Sequence, residues 1–279
     1  MLIMKPEDMQ EFEINQLLEA INFRYGYDFR DYSRASLERR VLHRVQQSDL
    51  GSVSEMVPKV MHDIEFFELF LRDMSVTVTE MFRDPKVFKR LRQEVFTQLR
   101  TYSRVNIWHA GCATGEEVYS MAIMLKEEGL LERSRIYATD YNNHSLDIAE
   151  KGIYPADKMK TYTENYLAAG GKASFADYYQ AKFGSVKMAE SLKNHITFAN
   201  HNLMKDQPFA EMQLIVCRNV LIYFNPRLQD RVLNLFKDSL ISRGFLLLGD
   251  KESIDYSHVN SSFEAVSKKE KIFRRLMHV

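Results

Sequence analysis

HAGCATGEEVYS, residues 109–120, sets Gly111 and Gly115 four residues apart and follows them at once with two carboxylates, Glu116 and Glu117. The stretch before it, VNIWHA at 105–110, is a short apolar run of strand type. The stretch after it carries apolar residues at helical spacing up to about Glu128. Strand, glycine turn and helix in that order predict the first unit of a parallel α/β sheet. The rest of the C-terminal part repeats the alternation. Strands are expected at RIYATD, ITFAN, LIVCRN and FLLLG, and helices at SLDIAEKG and PRLQDRVLNLFKDSL. FEAVSKKEKIFRRLMHV offers two further short strands around a charged turn, which suits an antiparallel edge.

In open α/β sheets, ligands bind beyond the C-terminal strand ends, and the turn after the first strand is the usual cradle. A phosphate loop reads GxxxxGK[ST] and a dinucleotide fingerprint reads GxGxxG. Neither is present. Glu116 and Glu117 repel a pyrophosphate and attract a cation, so the expected ligand is positively charged and free of phosphate. S-adenosylmethionine (SAM), with its sulfonium and α-ammonium groups, meets that description. The second strand ends in Asp140, an acid placed to accept hydrogen bonds from a ribose diol. The same residues also suit a bland reading, in which Glu116 and Glu117 sit at a helix N-terminus and Asp140 caps the next helix. Spacing alone leaves both open.

Working back from the turn, SVTVTEMFRDPKVFKRLRQEVF introduces the sheet domain. Asp84 is expected as an N-cap, Pro85 as the first helical residue, and Phe88, Leu91, Val95 and Leu99 as a buried stripe. Residues 1–73 show helical periodicity, with Leu37, Val41 and Val45 one turn apart. The expected division is a small all-α domain at 1–73 and an α/β domain at 74–279. A polar, glycine-containing insertion, at about 154–195, is more than the sheet needs. Within 21–47 the arginines Arg24, Arg30, Arg34, Arg39, Arg40 and Arg44 outnumber Asp28, Asp31 and Glu38. Arg40 and Arg44 are expected on a face opposite Leu37, Val41 and Val45.

Of the 279 residues, 45% are hydrophobic, enough for a sizeable core. Charge is balanced, with 38 basic and 38 acidic side chains, which argues against a nucleic-acid footprint. No secretory signal or membrane-spanning run is read from the sequence, so a soluble cytoplasmic protein is expected. Cys112 and Cys217 lie far apart and outside any metal-ligand spacing, so neither a disulfide framework nor a metal site is expected.

Five ordered blocks, TVTEMFRDP, HAGCATGEEVYS, ATD, Asn202–Leu203 and CRNVLIYFNP, together with GYDFRDYSRASLERRVLHRV upstream, resemble the chemotaxis receptor glutamate methyltransferases, the CheR-type family. The resemblance covers most of the chain. It implies a small all-α N-terminal domain followed by a Rossmann-like SAM-dependent methyltransferase domain, with a small β-rich insertion that some members use to dock a receptor tail. Carried over by position, it assigns cofactor contacts to Thr77, Thr79, Arg83, Gly111, Glu116, Glu117, Asp140, Asn202, Leu203, Asn219 and Val220. Arg39, Arg40 and Arg44 become candidates for docking an acidic substrate helix. The sequence departs from the family pattern at Thr77, where asparagine is common, at Met81, where phenylalanine is usual, and in LGDKES, where LGHSE is typical.

The implied reaction moves a methyl group from SAM to a glutamate carboxylate of a chemoreceptor-type protein, leaving S-adenosylhomocysteine (SAH). A glutamate of pKa about 4.3 is already ionised at neutral pH, so no general base is required. Tyr223 is the candidate catalytic residue, its ring and hydroxyl flanking the methyl group or orienting the incoming carboxylate. The protein is expected to act as a monomer on a methyl-accepting chemoreceptor or similar helical signalling protein, without nucleic acid or membrane insertion. Two alternatives stand beside this. One is a SAM-binding regulatory or scaffold module in a signalling complex; the other is a methyltransferase with a different protein acceptor.

Overall fold

The computed structural model describes residues 5–75 and 78–277. They form two units, one built from the N-terminal helices with the returning segment Ile222–Gln229, the other from the remaining residues.

The first unit contains the helices Pro6–Tyr25, Arg34–Gln47, Met56–His62 and Ile64–Met74. The last of these starts sharply because the Asp63 carboxylate accepts the Glu65 and Phe66 amides, satisfying donors that a helix start leaves free. Ile14, Leu17, Ile21, Phe29, Val41 and Phe70 are fully buried among them. Tyr32 bridges Phe224 in antiparallel fashion. The Ser33 amide donates to the Tyr223 carbonyl at 2.7 Å, and Asn225 Nδ2 donates to Asp31 at 2.9 Å. Tyr223, the candidate catalytic residue, therefore packs within the helical unit.

The second unit has ten strands: β1 (Val105–Ala110), β2 (Ser134–Asp140), β3 (Ile153–Pro155), β4 (Tyr179–Lys182), β5 (Ser185–Met188), β6 (Ile196–Asn200), β7 (Met212–Cys217), β8 (Leu240–Leu248), β9 (Phe263–Ser267) and β10 (Ile272–Arg275). Seven form one sheet in the order β6-β2-β1-β7-β8-β10-β9. The first five pair in parallel, and β10 runs antiparallel to β8 and β9. β1 is buried almost throughout, as a central strand covered on both faces must be, while β6 at the edge is mostly exposed. From β1 the chain steps outward through β2 to β6, then returns to the other side of β1 with β7. The strand order reverses between β1 and β7, the switch point at which sheets of this kind bind ligands.

β3, β5 and β4 make a separate three-stranded antiparallel sheet within the sequence insertion. It is tied back to the glycine turn, because the Tyr154 hydroxyl donates to the Thr114 carbonyl at 2.8 Å.

Local expectations differ from the structure in three places. Asp84 precedes the helix Pro85–Arg90 but has a left-handed φ of 60° and makes no cap, since its carboxylate goes to Arg218 instead. The buried stripe Phe88, Leu91, Val95 and Leu99 is present, but the helix passes through a π-turn at Leu91–Val95. β7 stops at Cys217, which leaves Arg218 and Asn219 in the loop, and β8 begins at Leu240, before FLLLG. No helix among the described residues is long and apolar enough to cross a membrane.

Candidate functional site

The two glycines of the turn are required by geometry. Gly111 has φ of 76°, and an added Cβ lands 2.5 Å from Val220 Cγ2; Gly115 has φ of 91°, with an added Cβ 2.8 Å from that of Ala149. Both positions need left-handed backbone and close approach, which only glycine supplies without strain. Ala113 between them is also left-handed, at φ of 48°. It is held there because its amide donates to Asp140 Oδ2 at 2.9 Å. The Gly111 and Cys112 amides donate to the Thr139 carbonyl at 2.8 and 2.9 Å, so the end of β2 shapes the turn after β1.

Asp140 is buried, and that burial pushes its carboxyl above the ordinary carboxylate range, although the Asn142 and Ala113 amides pull it back. It is not a helix cap. Asn142 takes that role, accepting the His144 and Ser145 amides. Two lone pairs per carboxylate oxygen leave Asp140 acceptor capacity for ligand hydroxyls.

The paired acids behave oppositely. Burial raises Glu117, but the Arg218 guanidinium 2.6 Å away and His109 outweigh it and hold Glu117 at about 2. Arg218 also reaches the Asp84 carboxylate at 2.5 Å and the Arg83 carbonyl at 3.2 Å. Glu117, expected to attract a cationic ligand, already has its cation inside the protein. Glu116 is buried, accepts the Thr114 hydroxyl at 2.7 Å, and is pushed by burial to about 7. Sequence reading missed Arg218, and the buried strand end CRN was its only local sign.

Beyond β6, the His201 amide donates to the Asp140 carbonyl at 3.1 Å, which places Asn202 beside the end of β2. Asn202 is buried; its Oδ1 accepts the Met204 amide at 2.9 Å, while its Nδ2 has no partner. A buried donor without an acceptor costs free energy unless something fills it. Leu203 beside it is buried. Beyond β7, Asn219 is left-handed at φ of 60°. Its amide and that of Val220 donate to Glu252 at 3.1 and 2.8 Å. Glu252 is the acid that LGDKES shares with LGHSE, so that block departs only at the two intervening residues. Burial pushes Glu252 up as well, against these amides.

In the leading segment, Arg83 Nη1 is 3.5 Å from the Val78 carbonyl and, among the described residues, has no carboxylate within ion-pair distance. Thr79 is half-buried, and Thr77 lies outside the described residues. The residues from four strand-end loops thus gather at the switch point. An acid for a diol, an unsatisfied buried amide donor and an arginine with no ion pair among the described residues fit a nucleoside carrying an amino-acid tail, and the set lacks the lysine of a phosphate loop.

In the helical unit, the expected arginine face is corrected. Arg40 and Arg44 lie three and seven residues beyond Leu37, which brings them round to the same side of the helix. Arg40 is buried, donates to the Met74 carbonyl and stacks over the Tyr223 ring at 4.7 Å. Its Nη2 has no partner. Arg44 pairs with Asp73, and Arg39 alone of the three is exposed.

The family described as CheR methyltransferase, SAM binding domain, matches residues 77–272, and CheR methyltransferase, all-alpha domain, matches residues 13–75. The Pseudomonas putida protein Cher3 is 52% identical over 272 residues, spanning 98% of this chain and 100% of its own. A chemotaxis protein methyltransferase of Borreliella burgdorferi is 30% identical over 259 residues, spanning 87% of this chain and 88% of its own. Chemotaxis protein methyltransferase 1 of Vibrio cholerae is 33% identical over 204 residues, spanning 69% and 70%.

Proposed function

This chain belongs to the CheR methyltransferase family, and from that membership we propose that it methylates glutamate carboxylates of a chemoreceptor-type protein in the cytoplasm. It is a SAM-dependent methyltransferase; the acceptor and the residue roles are the proposal. The observation that carries the site assignment is the buried, unpartnered Nδ2 of Asn202, next in the chain to His201, whose amide donates to the Asp140 backbone carbonyl.

When bound, SAM supplies an electrophilic methyl group on a sulfonium, which a carboxylate oxygen can take in line as the carbon–sulfur bond breaks. Asp140 holds the ribose hydroxyls, Asn202 Nδ2 and Leu203 meet the adenine, and Arg83 meets the carboxylate of the methionine part. Gly111, Asn219 and Val220 form the walls and Thr79 the leading edge; the contact carried over to Thr77 rests on the sequence motif alone. Glu116 lends negative charge behind the turn, while Glu117 acts through Arg218 by joining the 83–84 segment to the helix start. No residue needs to remove a proton, because an acceptor glutamate is ionised at neutral pH. Alignment and exclusion of water are the remaining requirements. Tyr223, from its place in the family motif, is proposed to orient the incoming carboxylate; within its own unit its ring is stacked by Arg40. Arg39, the exposed one of the three, assists docking of an acidic helix, whereas Arg44 is already neutralised by Asp73. Each methylation removes a negative charge from the receptor and relieves like-charge repulsion there.

The test is calorimetric titration with SAM and SAH of the wild type, Asp140→Ala and Asn202→Ala, followed by radiolabelled methyl transfer to receptor fragments. Expected are binding weakened about tenfold or more in both variants and label released by alkali, as a carboxyl methyl ester requires. Tight binding in both variants overturns the site, and alkali-stable label overturns the glutamate acceptor. Cofactor binding with no transfer to any receptor fragment favours a scaffold role.

A further inference from the structure

We infer that Glu252 is a positioning residue for the cofactor: its carboxylate sets the turn at Asn219 and Val220 and, through Val220, the wall that closes on Gly111. It lies in the loop after β8 and is 4% exposed. One oxygen accepts the Gly249 and Asn219 amides at 2.6 and 3.1 Å; the other accepts the Val220 amide at 2.8 Å. With the Leu221 amide as well, four backbone donors converge on this carboxylate and form a built receptor for the loop after β7. Asn219 sits in the left-handed region, which asparagine tolerates best among non-glycine residues, and the carboxylate fixes its amide there.

The surrounding residues are shaped around this contact. An added Cβ on Gly249 lands 2.7 Å from Glu252 Oε2 and 2.8 Å from the Asn219 amide, so only glycine admits the approach. On the far side, Val220 Cγ2 occupies the space that a Cβ on Gly111 would take, at 2.5 Å. The contacts therefore run from Glu252 to the 219–220 backbone, to the Val220 side chain, to the glycine turn, whose Ala113 amide is fixed by Asp140. Loops after β8, β7, β1 and β2 are placed in one sequence of contacts. The inference rests on Asn219 and Val220 being cofactor contacts.

Glu252→Gln keeps the size but turns an amide NH2 toward backbone donors, so one of the two accepting positions is lost. Expected are an SAH Kd raised about tenfold, a KM for SAM raised in parallel, and a KM for the receptor fragment within about twofold of wild type. A merely structural role lowers the melting temperature and the active fraction while the folded molecules bind SAH as before. An SAH Kd within about twofold of wild type overturns the inference. If Glu252→Gln does not fold, Glu252→Asp carries the comparison, since the shorter acid keeps its charge but cannot span both sets of amides; wild-type affinity in that variant overturns the inference equally. Failure of the wild type to bind SAH defeats the cofactor site itself, whereas wild-type binding retained in the variants defeats only Glu252.

Discussion

Replacing Glu116 with glutamine asks whether a carboxylate is held at the glycine turn against the stability of the fold. Glu116 is 6% exposed and accepts hydroxyls from Thr114 and Tyr162. Burial moves its midpoint from 4.5 to about 7, opposed first by the Thr114 hydroxyl and then by a backbone amide, Lys158 and Tyr162. A raised midpoint means that the folded chain holds a proton that the unfolded chain has released. Stability is therefore full below about pH 4.5, falls as pH rises to about 7, and is level above that. Each pH unit between the midpoints is worth about 1.4 kcal/mol, so the ionised form costs the fold about 3 kcal/mol. Glutamine has no such slope. Denaturant unfolding of wild type and Glu116→Gln at about pH 5 and about pH 8.5 is expected to show the variant gaining about 2–3 kcal/mol on the wild type between the two conditions. Asp140 and Glu252, also raised by burial, titrate in both proteins and cancel from the comparison. A gap that stays constant within about 0.5 kcal/mol refutes a buried carboxylate ionising in this range. If the charge is kept for a cationic ligand, wild-type affinity for SAM rises relative to the variant over the same interval.

Gly115→Ala is expected to cost about 2–4 kcal/mol in denaturant unfolding, from left-handed backbone at φ of 91° and overlap with Ala149; a loss under about 1 kcal/mol shows that the turn can relax. Glu117, held at about 2 despite its burial by Arg218 and His109, contributes stability that is present above about pH 4.5 and lost as pH falls toward 2. Glu117→Gln is therefore expected to flatten the acid limb of stability by about 3 kcal/mol, and an unchanged acid limb counts against the pair with Arg218.

Much of the sheet was legible because its evidence is local. VNIWHA, RIYATD and ITFAN coincide with β1, β2 and β6 to within a residue, since a run of apolar residues of strand length leaves few alternatives. CRN was harder. Its apolar lead continues the strand pattern, and only the Arg218 contacts to residues 83, 84 and 117 show where β7 ends. The face of Arg40 and Arg44 was available from helical arithmetic but misread. Placing them with Leu37 predicts burial, and a buried arginine needs a carbonyl, an acid or an aromatic ring, which Met74, Asp73 and Tyr223 provide.

The sequence by itself determined the alternation of strands and helices, the glycine turn with its two acids, and, through five ordered blocks, the family. Each rests on residues close together in the chain, where periodicity, glycine backbone freedom and motif spacing act. Only the tertiary structure decided what each charge does. Glu117 and Arg218 are 101 residues apart, and Glu252 meets the Asn219 amide across 33. Whether an acid faces a ligand, an arginine or a row of amides depends on which strand ends the sheet order brings together, and the identity of the acid carries no record of that.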